Sequence, residues 1–273
     1  MVYDPDMLVI VMKYMKYKYA DAFIKSGILK FGNASTWSNM DVTNGAGRGD
    51  KLEGVYAVCP SNDYISKRLY LKKYDDSYLH QHGKLVYFRS RRIMDLPCYC
   101  LYGLAVNDFQ QDKISNKRIL AVSPEFFHEF TDIPTDNYPK LIKDENRPSL
   151  ILILDPQKFY GRIAYALLAY GVKADDIIMN GVYYIDKTKP MICTESPLEL
   201  LWKSPIYKHQ NEVRIIVNTK DAEVINKLNT ETLCIGSLQD IAIHFDVYFE
   251  KGLTLTLDID EMNKKHKVGL ISR

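Results

Sequence analysis

Apolar residues in this chain fall mostly into short strand-length runs, with only a few segments of helical period. Residues 8–14 crowd Leu, Val, Ile and Met together and read as a strand. Residues 19–26 put Ala20, Phe23 and Ile24 on one face of a short helix, and Gly27 suits the left-handed position after its end. A second strand follows at 28–31. Residues 33–51 are polar and Gly-rich and read as one long loop holding Trp37, a length that in a compact domain is often functional. Residues 64–82, dense in Tyr, Lys and Asp, are expected to be partly exposed. Strands are predicted at 85–88 and 97–106. The charged stretch 110–148 reads as surface structure with a helix at 124–130.

The second half opens with an unbroken apolar run at 149–154, the pattern of a fully buried strand. Asp155-Pro156 then caps a helix that runs to about Tyr170 and stops at Gly171. Strands are expected at 177–185, 212–217, 234–236, 241–248 and 253–257, and helices at 197–202 and 222–228. Strands dominate, no βαβα rhythm or internal repeat emerges, and no Pro/Gly/Ser linker divides the chain. The expected fold is α+β: a mixed, largely antiparallel central sheet with interspersed helices, in one domain over 1–273.

Composition narrows the function classes. Of 273 residues 47% are apolar, enough for a normal core, and 36 Lys plus Arg against 34 Asp plus Glu leave a net charge of +2. Coating nucleic acid needs a cationic excess, so that balance leaves room only for a local basic groove. Five Cys form no disulfide framework and suit a reduced compartment. The first six residues carry two acids and no basic cluster, so no secretory leader is expected, and no run nears the roughly 20 apolar residues of a membrane helix. A soluble cytoplasmic protein with no membrane partner is the expectation. Tyr, at 20 residues, suits strand packing first and ring stacking second.

Several motifs invite chemistry. Gly45 to Lys51 looks like a phosphate loop but lacks Ser or Thr after its Lys, and Glu53 adds negative charge where phosphate would sit. Asp50 and Glu53, three apart, could share a divalent metal or an Arg; internal bridges with Arg48 and Lys51 are the alternative. Cys98 and Cys100 share a strand face, with His80 and His82 upstream, but the usual zinc spacing is absent and no metal is expected. Lys13, Lys16 and Lys18 alternate with Tyr14, Tyr17 and Tyr19, and Arg89, Arg91 and Arg92 cluster; both suit single-stranded nucleic acid.

The most specific local feature is Gln210-Asn211-Glu212-Val213-Arg214 opening a strand, with Lys203 and Tyr207 before it. A Gln-x-Glu pair at a strand start is the active-site pattern of many mono-ADP-ribosyltransferases. Breaking the nicotinamide–ribose bond develops positive charge on the sugar. A carboxylate that accepts from a ribose hydroxyl stabilises that charge. On an extended chain Gln210 would share the face of Glu212 and position the acceptor. A structural bridge from Glu212 to Arg214 or Lys203 is the competing use.

The blocks Lys16 to Ala20, Arg48 to Gly54, Cys98 to Tyr102, Gln210 to Ile215 and Ile235 to Ala242 resemble an uncharacterised family of bacterial and phage-associated proteins, a likeness that supplies no activity. The order of strand, short helix ending in Gly, strand, and late Glu-bearing strand is similar, more loosely, to the ADP-ribosyltransferase fold. That likeness implies NAD as substrate, Glu212 as catalytic Glu and Gln210 as its partner. It also implies Ser35 and Thr36 as the fold's Ser-Thr element, with Lys13 standing where the family carries Arg or His. In this reading Lys13 and Arg48 hold the pyrophosphate, Tyr14 or Tyr102 stacks on nicotinamide, and the acceptor is a protein or a nucleic acid. Two other readings stand beside it. One is a nucleic-acid binder or metal-dependent nuclease using Asp50 and Glu53. The other is a non-catalytic interaction protein or toxin-like factor in phage–host conflict.

Overall fold

The computed structural model describes residues 7–38, 50–113, 117–122, 145–246 and 253–258. Its centre is a six-stranded antiparallel sheet. In spatial order this runs β10 (Ile177–Gly181), β14 (Glu212–Val217), β6 (Cys98–Ala105), β1 (Leu8–Lys16), β9 (Pro148–Ile153) and β16 (Ala242–Asp246). Alternation gives each strand two destinations. Val11, Tyr99, Leu101, Ile151, Ile215 and Val217 face a layer of helices: α1 (Tyr17–Ser26), α5 (Pro156–Ala169) and α6 (Ala222–Thr230). Ile10, Met12, Leu104, Leu150 and Leu152 face the other way, onto Leu255 and Leu257 of β17 (Leu253–Asp258). That strand belongs to a three-stranded sheet with β8 (Lys117–Val122) and β7 (Gln110–Gln111). Covered on both faces, β9 is buried at every residue, which is why its sequence is an unbroken apolar run.

A second, four-stranded sheet lies in the order β12 (Met191–Ile192), β3 (Ala57–Pro60), β5 (Leu85–Ser90) and β4 (Ser77–His82). The helix α3 (Tyr64–Leu71) packs beside it, and the single turn α4 (Arg91–Met94) follows β5. Short pairs complete the pattern: β2 (Ile28–Leu29) with β15 (Leu233–Cys234), and, in parallel, β11 (Tyr183–Tyr184) with β13 (Trp202–Lys203). Among the described residues no helix is long and apolar enough to cross a membrane.

Local signals hold where they rest on caps. Gly27 ends α1 at φ 61°, and a Cβ there would lie 2.2 Å from the Gly236 carbonyl oxygen. The Asp155 side chain accepts from the Lys158 amide at 2.9 Å at the start of α5, and Gly171 follows its end at φ 90°. The differences have physical causes. Trp37, expected in a loop, sits in the short helix α2 (Ala34–Ser38), because the Asn33 side chain accepts from the Thr36 amide and starts a turn. The single strand expected at 177–185 is two: β10 stops at Gly181, and β11 joins a different sheet. Residues 77–82 escaped as a strand because β4 is an exposed edge with no apolar face to reveal it. The helix expected at 124–130 lies outside the described residues.

Candidate functional site

The central sheet splits. The β1–β6 ladder runs only from the Leu8↔Ala105 pair to the Met12↔Tyr102 pair. Beyond it β1 continues to Lys16 along β9, and β6 begins back at Cys98 along β14. Two groups meet the β6 edge in the opening. Gly32 exchanges backbone bonds of 2.9 and 2.8 Å with Cys98, and the Lys13 ammonium donates to the Cys100 carbonyl at 2.7 Å while lying 4.2 Å from the centre of the Tyr99 ring. A cleft of about 270 Å³ opens here.

Its floor is charged. Direct pairing puts Glu212 beside Tyr102 and Arg214 beside Cys100, on the same face. Glu212 is only 6% exposed. Its Oε1 accepts from Arg214 Nε at 2.6 Å and its Oε2 from Lys203 Nζ at 2.5 Å. The same ammonium donates to Gln210 Oε1 at 2.7 Å and sits 4.7 Å over the Tyr207 ring. Arg214 also grips both oxygens of Glu53 and faces the Trp37 ring at 5.4 Å. Burial alone would push the Glu212 carboxyl up; Arg214 and then Lys203 reverse that and hold it well below the usual carboxylate range. Arg214 is buried too, yet Glu212 and Glu53 hold it above its ordinary value. Behind it, Asp50 accepts from the amides of Leu52 at 2.8 Å and Ser204 at 3.1 Å, with the Lys187 ammonium at 3.8 Å. Burial lowers Lys187 and Arg89, whose side chains are anchored on backbone carbonyls of this segment.

Gln210 reaches the site by a route the extended-chain reading did not contain. It ends a 3₁₀ turn over Pro205–Gln210, and Asn211 follows at φ 41°, a left-handed conformation. Gln210 and Glu212 are therefore not alternate residues of one strand; the Lys203 ammonium brings their side chains together.

Of the residues singled out in the sequence, Lys13, Tyr102, Gln210, Glu212, Lys203, Arg214, Asp50 and Glu53 line this one cleft. Three do not. Tyr14 lies on the opposite face of β1 from Lys13, packed against the Ile10–Met12 core. Ser35 donates to Asp95 at 2.5 Å, and Thr36 bonds to Asn33. Arg48 lies outside the described residues. Among the described residues the carboxylates Asp50 and Glu53 are bridged to Lys187 and Arg214, partners the sequence reading did not name for them. Among the described residues no group of three or more His, Cys, Asp or Glu is placed to hold a metal ion. Cys98 is buried and Cys100 half-buried; loss of solvent pushes Cys98 up to about 12 and Cys100 well above its ordinary value, so neither is a ready thiolate. The alternating Lys-Tyr segment forms no single basic face, since Lys13 enters the cleft, Tyr14 the core, and Tyr17 lies under Arg147. Arg89 of the second basic cluster is buried against the Lys51 and Glu53 carbonyls.

Sequence reasoning missed Lys187 and the roles of Trp37, Tyr99 and Arg89. Trp37 carried a signal, as the lone Trp of a flagged loop; a fully buried Lys carries none. Comparison with family models, curated proteins and solved structures finds no match.

Proposed function

We propose that the cleft binds NAD and that the protein is an ADP-ribosyltransferase-like enzyme acting on a macromolecular acceptor. One observation carries this reading: Lys13 of β1, Tyr102 of β6, Gln210 of the preceding turn and Glu212 of β14 converge on a single opening at the split in the sheet. Each supplies what the chemistry needs. Lys13 and Lys30 bring positive charge to the lining for a pyrophosphate. Tyr102, packed beside the Ile10–Met12 core, brings aromatic surface to the lining for nicotinamide. Arg214 and Lys203 favour the ionised form of Glu212, the form that can stabilise a developing positive charge.

In the reaction the nicotinamide–ribose bond breaks and its electron pair stays on the ring nitrogen. The acceptor nucleophile bonds to the same sugar carbon and gives its proton to solvent. Glu212 faces the charge that develops between those events, and Gln210 orients the acceptor. At about 270 Å³ the cleft falls just below the roughly 300–1,000 Å³ of ligand pockets. That volume suits the nicotinamide and its ribose, with the rest of the dinucleotide lying toward Lys30.

Purified protein is expected to bind NAD in calorimetry and to release nicotinamide. Glu212→Gln is expected to cut release by about 100-fold or more with the fold intact by circular dichroism. Glu212→Asp serves if the Gln variant fails to fold. An absence of NAD binding by well-folded protein defeats the proposal and leaves a non-catalytic interaction protein as the better account.

A further inference from the structure

A carboxylate that must face a developing cation is here neutralised twice. Glu212 carries one guanidinium and one ammonium, and the two contacts differ in kind. Arg214 is 1% exposed and shared with Glu53 and the Leu200 carbonyl, so it is fixed from several sides. Lys203 is buried as well, at 6% exposure, but its ammonium lies in the cleft lining at the end of a four-carbon stem and is held there by the two side chains it bridges. Its ammonium holds Glu212 at 2.5 Å and Gln210 at 2.7 Å together. One cation thus occupies both groups on which the proposed reaction depends.

We propose that Lys203 is an anion-responsive latch. A pyrophosphate entering between Lys13 and Lys203 draws the Lys203 ammonium toward its oxygens. Glu212 keeps its contact with Arg214, and its Oε2 turns free for a ribose hydroxyl. Gln210 loses its cation at the same moment and is released toward the acceptor. Lys203 is a positioning residue in this scheme, coupling occupancy of the phosphate subsite to exposure of the carboxylate. Without an anion, the site stays closed on its own side chains.

The inference rests on the NAD reading, and inorganic pyrophosphate separates the two. Calorimetry with pyrophosphate alone is expected to show salt-sensitive binding. Lys203→Met weakens it about tenfold, the loss of one charge-assisted hydrogen bond, and Lys203→Arg restores most of it. With NAD, Lys203→Met raises KM by a similar factor, more than it changes kcat. Lys203→Gln replaces the Met variant if that one does not fold. No pyrophosphate binding by the unsubstituted protein, or equal binding by Lys203→Met, overturns the latch. Pyrophosphate binding that depends on Lys203 with no NAD turnover overturns the transferase reading and leaves the latch standing. NAD turnover with KM unmoved in Lys203→Met does the reverse.

Discussion

At Arg214 two carboxylates from distant parts of the chain share one guanidinium inside the protein. Removing one partner of such a group leaves charge buried without compensation, which costs about 3–5 kcal/mol. Arg214→Met is therefore expected to lower unfolding free energy by that order in chemical denaturation, because Glu53 and Glu212 lose their shared cation together. Glu212 also sets an acid limit. Its carboxyl in the folded protein lies below its unfolded value of about 4.3. The stabilisation is complete above that value and is lost as pH falls through the folded-state pKa. Denaturation midpoints measured from pH 7 down to pH 3 are expected to fall with acid. A Glu212→Gln protein, lacking the group, is expected to fall less steeply; parallel curves would remove Glu212 from the acid limb. The sequence flagged Glu212, Arg214 and Lys203 individually because charged residues at a strand start are conspicuous. It could not pair Arg214 with Glu53, since 161 residues separate them.

Among elements, the turn before β14 matters most to the site. Asn211 takes a left-handed conformation that Asn tolerates and β-branched residues do not. Its carbonyl accepts from the Gly103 amide at 2.8 Å, which ties the turn to β6. Asn211→Val is expected to destabilise the protein by about 1–3 kcal/mol and to strengthen pyrophosphate binding, because displacing Gln210 removes an acceptor that competes for the Lys203 ammonium. Asn211→Gly should leave both nearly unchanged. Equal behaviour of the Val and Gly variants would show that the backbone there carries no constraint. Elements with strong local signatures were legible: the caps at Asp155 and Gly27, and the buried run of β9. Elements lacking one were not, such as the exposed edge strand β4 and the β10–β11 break, where one apolar run serves two sheets.

For the whole molecule, the helix layer and the cleft are separate responsibilities. Phe159 of α5 is fully buried and stacks near Phe23 of α1 at 6.4 Å between centroids, holding two helices against the sheet. Phe159→Ala is expected to cost about 3–5 kcal/mol while leaving the KM for NAD or the affinity for pyrophosphate unchanged, because no part of that ring lines the cleft. A large change in affinity would mean that the helix layer shapes the opening. The sequence by itself determined the strands and helices whose apolar period or capping residues act over a few positions, and it marked Glu212, Gln210 and Lys13 by residue type. Only the tertiary structure decided that β1 and β6 part after Met12, that Lys13 turns into the gap, and that Lys203 binds Gln210 and Glu212 at once. Strand pairing and buried ion pairs join residues far apart in the chain, and no local pattern of polar and apolar positions records which distant partner each one meets.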